Sequence, residues 1–222
     1  CKKLKHITIP SFITEIGNDA FKGCSSLTQI SIPSSVTSFG NNIFDGIKSL
    51  EITGDMKYIP NYLFRSSSLE HISILTSINS IGKFAFSECS FLKQISIPSS
   101  VTLIGDYAFN GCSSLTQISI PSSVTSIGNY VFFGRSKLMQ ISIPSSVNYI
   151  GKCAFSRCLM LSQILIPSSV NYIGYSAFEE CKSLTQMLLP NSITYIGSNA
   201  FSKCSKLTQI TIPSSVTSIK NS

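Results

Sequence analysis

The sequence predicts a parallel β-solenoid of about nine 23-residue units, with strands on one side and short helical turns on the convex side. Two ladders of single residues predict it. Prolines stand at 10, 33, 98, 121, 144, 167, 190 and 213, and the last six are spaced by 23. Phenylalanines repeat the period at 21, 44, 64, 86, 109, 132, 155, 178 and 201. Self-similarity at a fixed period in this range is the signature of stacked repeats. The units fill the chain without a linker or a change of composition, so residues 1–222 read as one solenoid domain.

Each unit places its elements in the same order. In Leu115–Pro121 the apolar Ile118 and Ile120 alternate with Gln117 and Ser119, the period-2 pattern of a strand with one buried face. Pro121 ends it, because proline has no N–H to give and a fixed φ. Val124 and Ile127 then point inward across a polar turn, and Gly128 follows. Glycine recurs there at 17, 40, 82, 105, 151, 174 and 197, which predicts either a positive φ or a close backbone approach. Residues 129–135 are long enough for one helical turn that buries Phe132. One unit cannot bury both apolar stripes, whereas stacked units cover each other. At about 4.8 Å per strand the stack would be roughly 45 Å long.

One unit is irregular. Leu50 and Leu69 are 19 residues apart, and Pro60 stands where glycine is expected. The shortened repeat at 50–69 is either a drifted unit that alters local twist or a bulge that shapes a binding site.

The pattern Leu-x-x-Ile-x-Ile-Pro-x-x-Val-x-x-Ile-Gly-x-x-Ala-Phe-x-x-Cys resembles the BspA-like class of leucine-rich repeats, found in bacterial and protozoan surface antigens. It differs from the commonest leucine-rich pattern in carrying Pro where that pattern leads toward Asn or Cys. The resemblance covers essentially the whole chain. It implies a leucine-rich repeat solenoid and a surface adhesin or antigen that contacts host or matrix macromolecules at the cell surface.

Composition narrows the chemistry. Charged residues are only 12% and hydrophobic residues 43%, which excludes a disordered chain. No apolar run approaches the roughly 18–20 residues of a membrane span. The chain opens on Cys1 rather than Met, which reads as a fragment or a trimmed chain. Seven of the eight cysteines (1, 24, 89, 112, 158, 181 and 204) share one position, which Ile47 and Arg135 occupy in other units. A slot that takes isoleucine is a packing slot, so these thiols are expected to be reduced and structural. Cys153 lies outside the ladder and is expected to be exposed. No C-x-x-C occurs, so no metal is assigned. His6 and His71 are three units apart with no nucleophile or carboxylate partner, and no phosphate loop is present. The sequence therefore points to no enzyme and no cofactor.

Two surfaces are candidates for partners. The strand face offers Gln94, Gln117, Gln140, Gln163 and Gln186 in one column, either bonded along the stack or open to a partner. The edge between each Phe and the next Leu carries eleven Lys and Arg against four acids, among them Arg135, Lys137, Arg157 and Lys182. That stripe suits an acidic protein segment or an acidic glycan. Nucleic acid is disfavoured, because no aromatic residues interleave with the basic ones. The last strand, around Gln209 and Thr211, is uncharged and β-branched, which predicts a homodimer through the C-terminal repeat. None of the twelve asparagines lies in N-x-[ST], and the unpaired cysteines also lean away from a eukaryotic secretory route. An intracellular scaffold or regulatory subunit, for instance of a protein phosphatase, therefore stands as the alternative to the surface protein.

Overall fold

The structure, a computed structural model, describes residues 1–219. Each unit but the one around Gln117 contributes a first strand, β1 (His6–Thr8), β3 (Gln29–Ser31), β5 (Ser49–Thr53), β7 (His71–Ser73), β9 (Gln94–Ile95), β12 (Gln140–Ser142), β14 (Gln163–Leu165), β16 (Gln186–Leu188) or β18 (Gln209–Thr211). A second, two-residue strand follows the turn: β2 (Glu15–Ile16), β4 (Ser38–Phe39), β6 (Tyr58–Ile59), β8 (Ser80–Ile81), β10 (Leu103–Ile104), β11 (Ser126–Ile127), β13 (Tyr149–Ile150), β15 (Tyr172–Ile173), β17 (Tyr195–Ile196) and β19 (Ser218–Ile219). All pairings are parallel and, away from β5, join equivalent residues, as in Gln140↔Gln163 and Tyr172↔Tyr195. The unit around Gln117 joins the first sheet only through a bridge between Ser119 and Ser142.

The Pro-Ser-Ser-Val segment between the two strands is a β-turn that repeats throughout. The N–H of Val124 donates to the Pro121 carbonyl at 3.0 Å, and Val147 and Val170 do the same to Pro144 and Pro167. Proline supplies the acceptor and cannot extend the strand. The second serine ties the turn to the unit before it. Ser146 Oγ donates to the Val124 carbonyl at 2.6 Å, and Ser169 Oγ to the Val147 carbonyl at 2.6 Å.

The recurring glycine is explained by close approach rather than by a positive φ. The Gly151 N–H donates to the Ile127 carbonyl at 2.8 Å. A Cβ at Gly151 would lie 2.7 Å from the carbonyl carbon of Gly128, so no larger residue fits without moving backbone.

The convex side is not helical. Among the described residues that segment forms consecutive turns instead, and the reason lies in its backbone. Two residues of each unit have a positive φ, one two places before the Phe (Tyr107, 60°; Tyr130, 56°) and one two places after it (Gly111, 69°; Gly134, 73°). Left-handed residues every four positions are incompatible with a right-handed helix. The turns carry a third hydrogen-bonded column, in which the Phe155 N–H donates to the Ala177 carbonyl at 2.8 Å.

Between the columns the Phe rings stack, with centroids 5.3 Å apart from Phe86 to Phe109 and from Phe155 to Phe178. The Leu, Ile and Val stripes close the remainder of the core. The irregular unit is absorbed by a register shift. Ile30 faces Ile52 across one side of β5, whereas the equivalent Ile72 faces Leu50 across the other. A shift of two residues keeps every side chain on its own face of the sheet, so the core continues past the missing residues.

Candidate binding surfaces

The outer face of the first sheet carries the predicted amide column. Gln94, Gln117, Gln140, Gln163 and Gln186 are all exposed. Among the described residues no glutamine side chain bonds to another; the one amide engaged is Gln29, whose Nε2 donates to Glu51 Oε2 at 3.0 Å. The other amides therefore keep their donors and acceptors open. Beside them lie small residues, Ser73, Ser96, Ser119 and Ser142. This difference in height makes a groove of about 1020 Å³, with Glu51 and His71 among its lining residues at one end and Gln140 and Ser142 at the other. Past Ser142 the serine column gives way to Leu165 and Leu188, each 71% exposed. The result is a polar trough that runs onto an apolar step.

The basic edge is partly paired. Arg157 faces Glu180 at 3.8 Å, Lys203 faces Glu179 and Glu180 at 3.6 and 3.3 Å, Arg65 faces Glu88 at 3.5 Å, and Lys22 and Lys48 also have carboxylate partners. Lys137 and Lys182 are exposed and form no ion pair among the described residues. Arg135 is not on the edge at all. It is fully buried, its guanidinium 5.1 Å from the centre of the Phe132 ring and 5.5 Å from that of Phe109. The repeat slot decides this: position 135 is the cysteine position, which points inward whatever residue fills it.

The cysteine ladder is buried in its middle, and its sulfurs form no disulfide among the described residues. Cys112 Sγ donates to the Phe86 carbonyl at 3.1 Å and Cys158 Sγ to the Phe132 carbonyl at 3.3 Å, so each thiol ties its unit to the one before. Burial pushes Cys89 and Cys158 up to about 12 and Cys112 to about 11, and Cys181 is raised further. Cys153, expected to be exposed, is buried instead. It occupies the left-handed position of its unit at φ 53°, equivalent to Tyr130, and the turn folds it against the neighbouring unit.

Two aromatic columns were not read from the sequence. Tyr62, Phe84, Tyr107 and Tyr130 stack at 5.0, 4.4 and 4.5 Å, and Tyr149, Tyr172 and Tyr195 at 4.7 and 4.5 Å. Their signal was the same fixed spacing that marked the Phe ladder. His6 sits beside Gln29 at the first strand and His71 in the groove, so the two remain apart. No cluster of three or more His, Cys, Asp or Glu able to hold a metal occurs among the described residues. Gln209 and Thr211 are exposed on β18, which pairs with β16. No helix of the described residues is long and apolar enough to cross a membrane.

A family comparison decides the class. The BspA type leucine rich repeat region matches in six copies, over residues 1–116 and 103–222. The chain belongs to the BspA-type leucine-rich repeat family. Solved structures of leucine-rich repeat proteins agree. A leucine rich cell surface protein from Faecalibacterium prausnitzii is 27% identical, with a TM-score of 0.53 over 96% of this chain and 74% of that one. A leucine-rich repeat protein from T. pallidum is 29% identical, with a TM-score of 0.57 over 82% and 78% of the two chains. One from Bacteroides ovatus, at 24% identity and a TM-score of 0.51 over 98% and 82%, shares the fold. No curated protein gives a significant match. This BspA-type chain is a leucine-rich repeat protein-binding module similar to a bacterial leucine rich cell surface protein.

Proposed function

We propose that this BspA-type module is a non-catalytic surface adhesin that grips an extended protein segment of a host or matrix macromolecule in the groove of its strand face. The observation that carries the reading is the column of exposed glutamines, Gln94 to Gln186, whose amides bond to nothing among the described residues. Free amides above a serine floor can meet the backbone N–H and C=O groups of an extended polypeptide. Leu165 and Leu188 then give an apolar side chain of the partner a place to bury. The basic edge is secondary, because Lys22, Lys48, Arg65, Arg157 and Lys203 already have carboxylate partners and exposed charges are screened.

The test fills the groove. Ser96→Lys with Ser119→Lys is expected to abolish binding of the labelled chain to an extracellular-matrix preparation, and Ser122→Lys on the turn to leave it intact. Equal binding by all three proteins would refute the groove. A homodimer through Gln209 and Thr211 belongs to the same reading. There the uncharged last strands of two copies would pair edge to edge around a two-fold axis and leave Leu165 and Leu188 open to the partner.

A further inference from the structure

The junction between residues 92–114 and 115–137 is held differently from the others. The first sheet stops at β9, and the next unit reaches only forward, from Ser119 to Ser142. The second sheet stops at the same place, with Ile104 and Ile127 in separate sheets. Elsewhere among the described residues a break in one sheet is spanned by the other: β3 pairs β5 where β4 and β6 part, and β15 pairs β17 where β14 and β16 part.

The backbone confirms the separation. The N–H groups of Gly105, Gly151, Gly174 and Gly197 each donate at 2.8 Å to the isoleucine carbonyl of the preceding unit, and Gly128 makes no such bond to Ile104. A Cβ on Gly128 would meet the Asp106 side chain at 2.6 Å, but the nearest backbone atom of the preceding unit, the Ile104 oxygen, is 3.6 Å away. The turn column spans the gap, through Tyr107 N–H to the Asn129 carbonyl at 2.9 Å, Phe109 to Val131 at 3.1 Å and Gly111 to Phe133 at 2.8 Å. Side-chain bonds add to it, Ser123 Oγ donating to the Val101 carbonyl at 2.5 Å and the Asn129 N–H to Asp106 Oδ1 at 2.8 Å.

Arg135 lies at this junction. The Phe109 and Phe132 rings that its guanidinium touches are 6.1 Å apart, against 5.3 Å for the pairs on either side. None of its three guanidinium nitrogens has a hydrogen-bond partner. The slot holds the much smaller cysteine in the flanking units, at Cys112 and Cys158. An oversized side chain in a packed core forces its neighbours apart. A buried charge without partners further disfavours the closed arrangement, because opening gives it water.

We infer that this junction is a hinge: residues 1–114 and 115–219 move as two bodies about the turn column, and Arg135 is the wedge that keeps the two sheets from closing across it. The binding groove crosses the same junction, with Gln94 and Ser96 on one body and Gln117 and Ser119 on the other.

Amide hydrogen exchange resolved by residue on the full 222-residue chain tests this. After correction for intrinsic rates, the Gly128 amide is expected to exchange at least tenfold faster than Gly151 and Gly174. Arg135→Cys restores the usual occupant of the slot and is expected to slow Gly128 at least tenfold while leaving Gly151 unchanged. Arg135→Ile, matching Ile47, serves as a second variant with the same expected result. Equal protection of the three glycines in the parent would overturn the hinge. Fast exchange at Gly128 that persists in both variants would overturn the role of Arg135.

Discussion

Replacing single glycines of the stacking column tests directly how the units are held. At Gly151 an added methyl carbon would lie 2.7, 2.8 and 2.9 Å from Gly128 C, Gly128 O and Asn129 N. All three are backbone atoms, so no rotamer change can clear them. Relief requires lengthening the Gly151–Ile127 hydrogen bond and its neighbours. Overpacking of a close-packed interior costs about 1–3 kcal/mol, and a backbone clash belongs at the upper end, about 2–3 kcal/mol. For a chain of this size that is a fall in Tm of roughly 4–12 °C. Gly17 is the control: nothing lies within 4 Å of its Cβ position, and its φ is not positive. Gly17→Ala should be neutral or stabilise by up to about 1 kcal/mol through the unfolded chain. Gly128→Ala should fall between, because its closest contact is the movable Asp106 side chain. Urea titrations of the three variants measure the series. A Gly151→Ala protein as stable as the parent, or a Gly17→Ala protein as damaged as Gly151→Ala, would refute the stacking argument.

The thiols give a second prediction. Maleimide at neutral pH should label the exposed Cys1 and leave Cys89, Cys112, Cys158 and Cys181 unlabelled until the chain is unfolded. Because burial raises these thiols above their ordinary 9.0, to about 11 or 12, their contribution to stability is complete below about pH 9 and is lost as pH rises toward those values. Urea midpoints should be flat from pH 7 to 8 and lower at pH 10; a midpoint that rises at pH 10 would contradict the buried neutral ladder. For self-association, light scattering should show a dimer that Gln209→Lys with Thr211→Lys returns to monomer, and a parent that is monomeric at high concentration would rule the contact out.

The fold was legible because every unit repeats the same signal. Pro121, Ile118 and Phe132 each recur at fixed spacing, and repetition removes the ambiguity that one short strand would carry. The convex side was misread for a local reason. Gly23, Gly46, Gly111 and Gly134, two places after the Phe, already marked a left-handed position, but the matching position before it holds Tyr107, Tyr130 or Cys153, residues that seldom adopt a positive φ. Arg135 shows how composition and position can disagree. Counted as a charge it joined the basic edge; placed by its repeat slot it belonged in the core, and the slot prevailed. On the edge, Glu88, Glu179 and Glu180 are partners of particular cations, which a sum over the edge cannot show. The glutamine column was read correctly in place, but only the side-chain geometry shows that its amides do not bond along the stack.

The salt dependence of partner binding tests the central claim most directly, because it separates the polar groove from the basic edge. Exposed charges lose most of their attraction as the Debye length falls from about 10 Å at 0.1 M salt to about 3 Å at 1 M. Kd for a matrix protein captured by the chain should be measured at 0.1 and 1 M NaCl. Binding in the groove predicts a change of less than about threefold, since uncharged amides and hydroxyls dominate it. A loss of affinity of tenfold or more would contradict the groove and place the partner on Lys137 and Lys182.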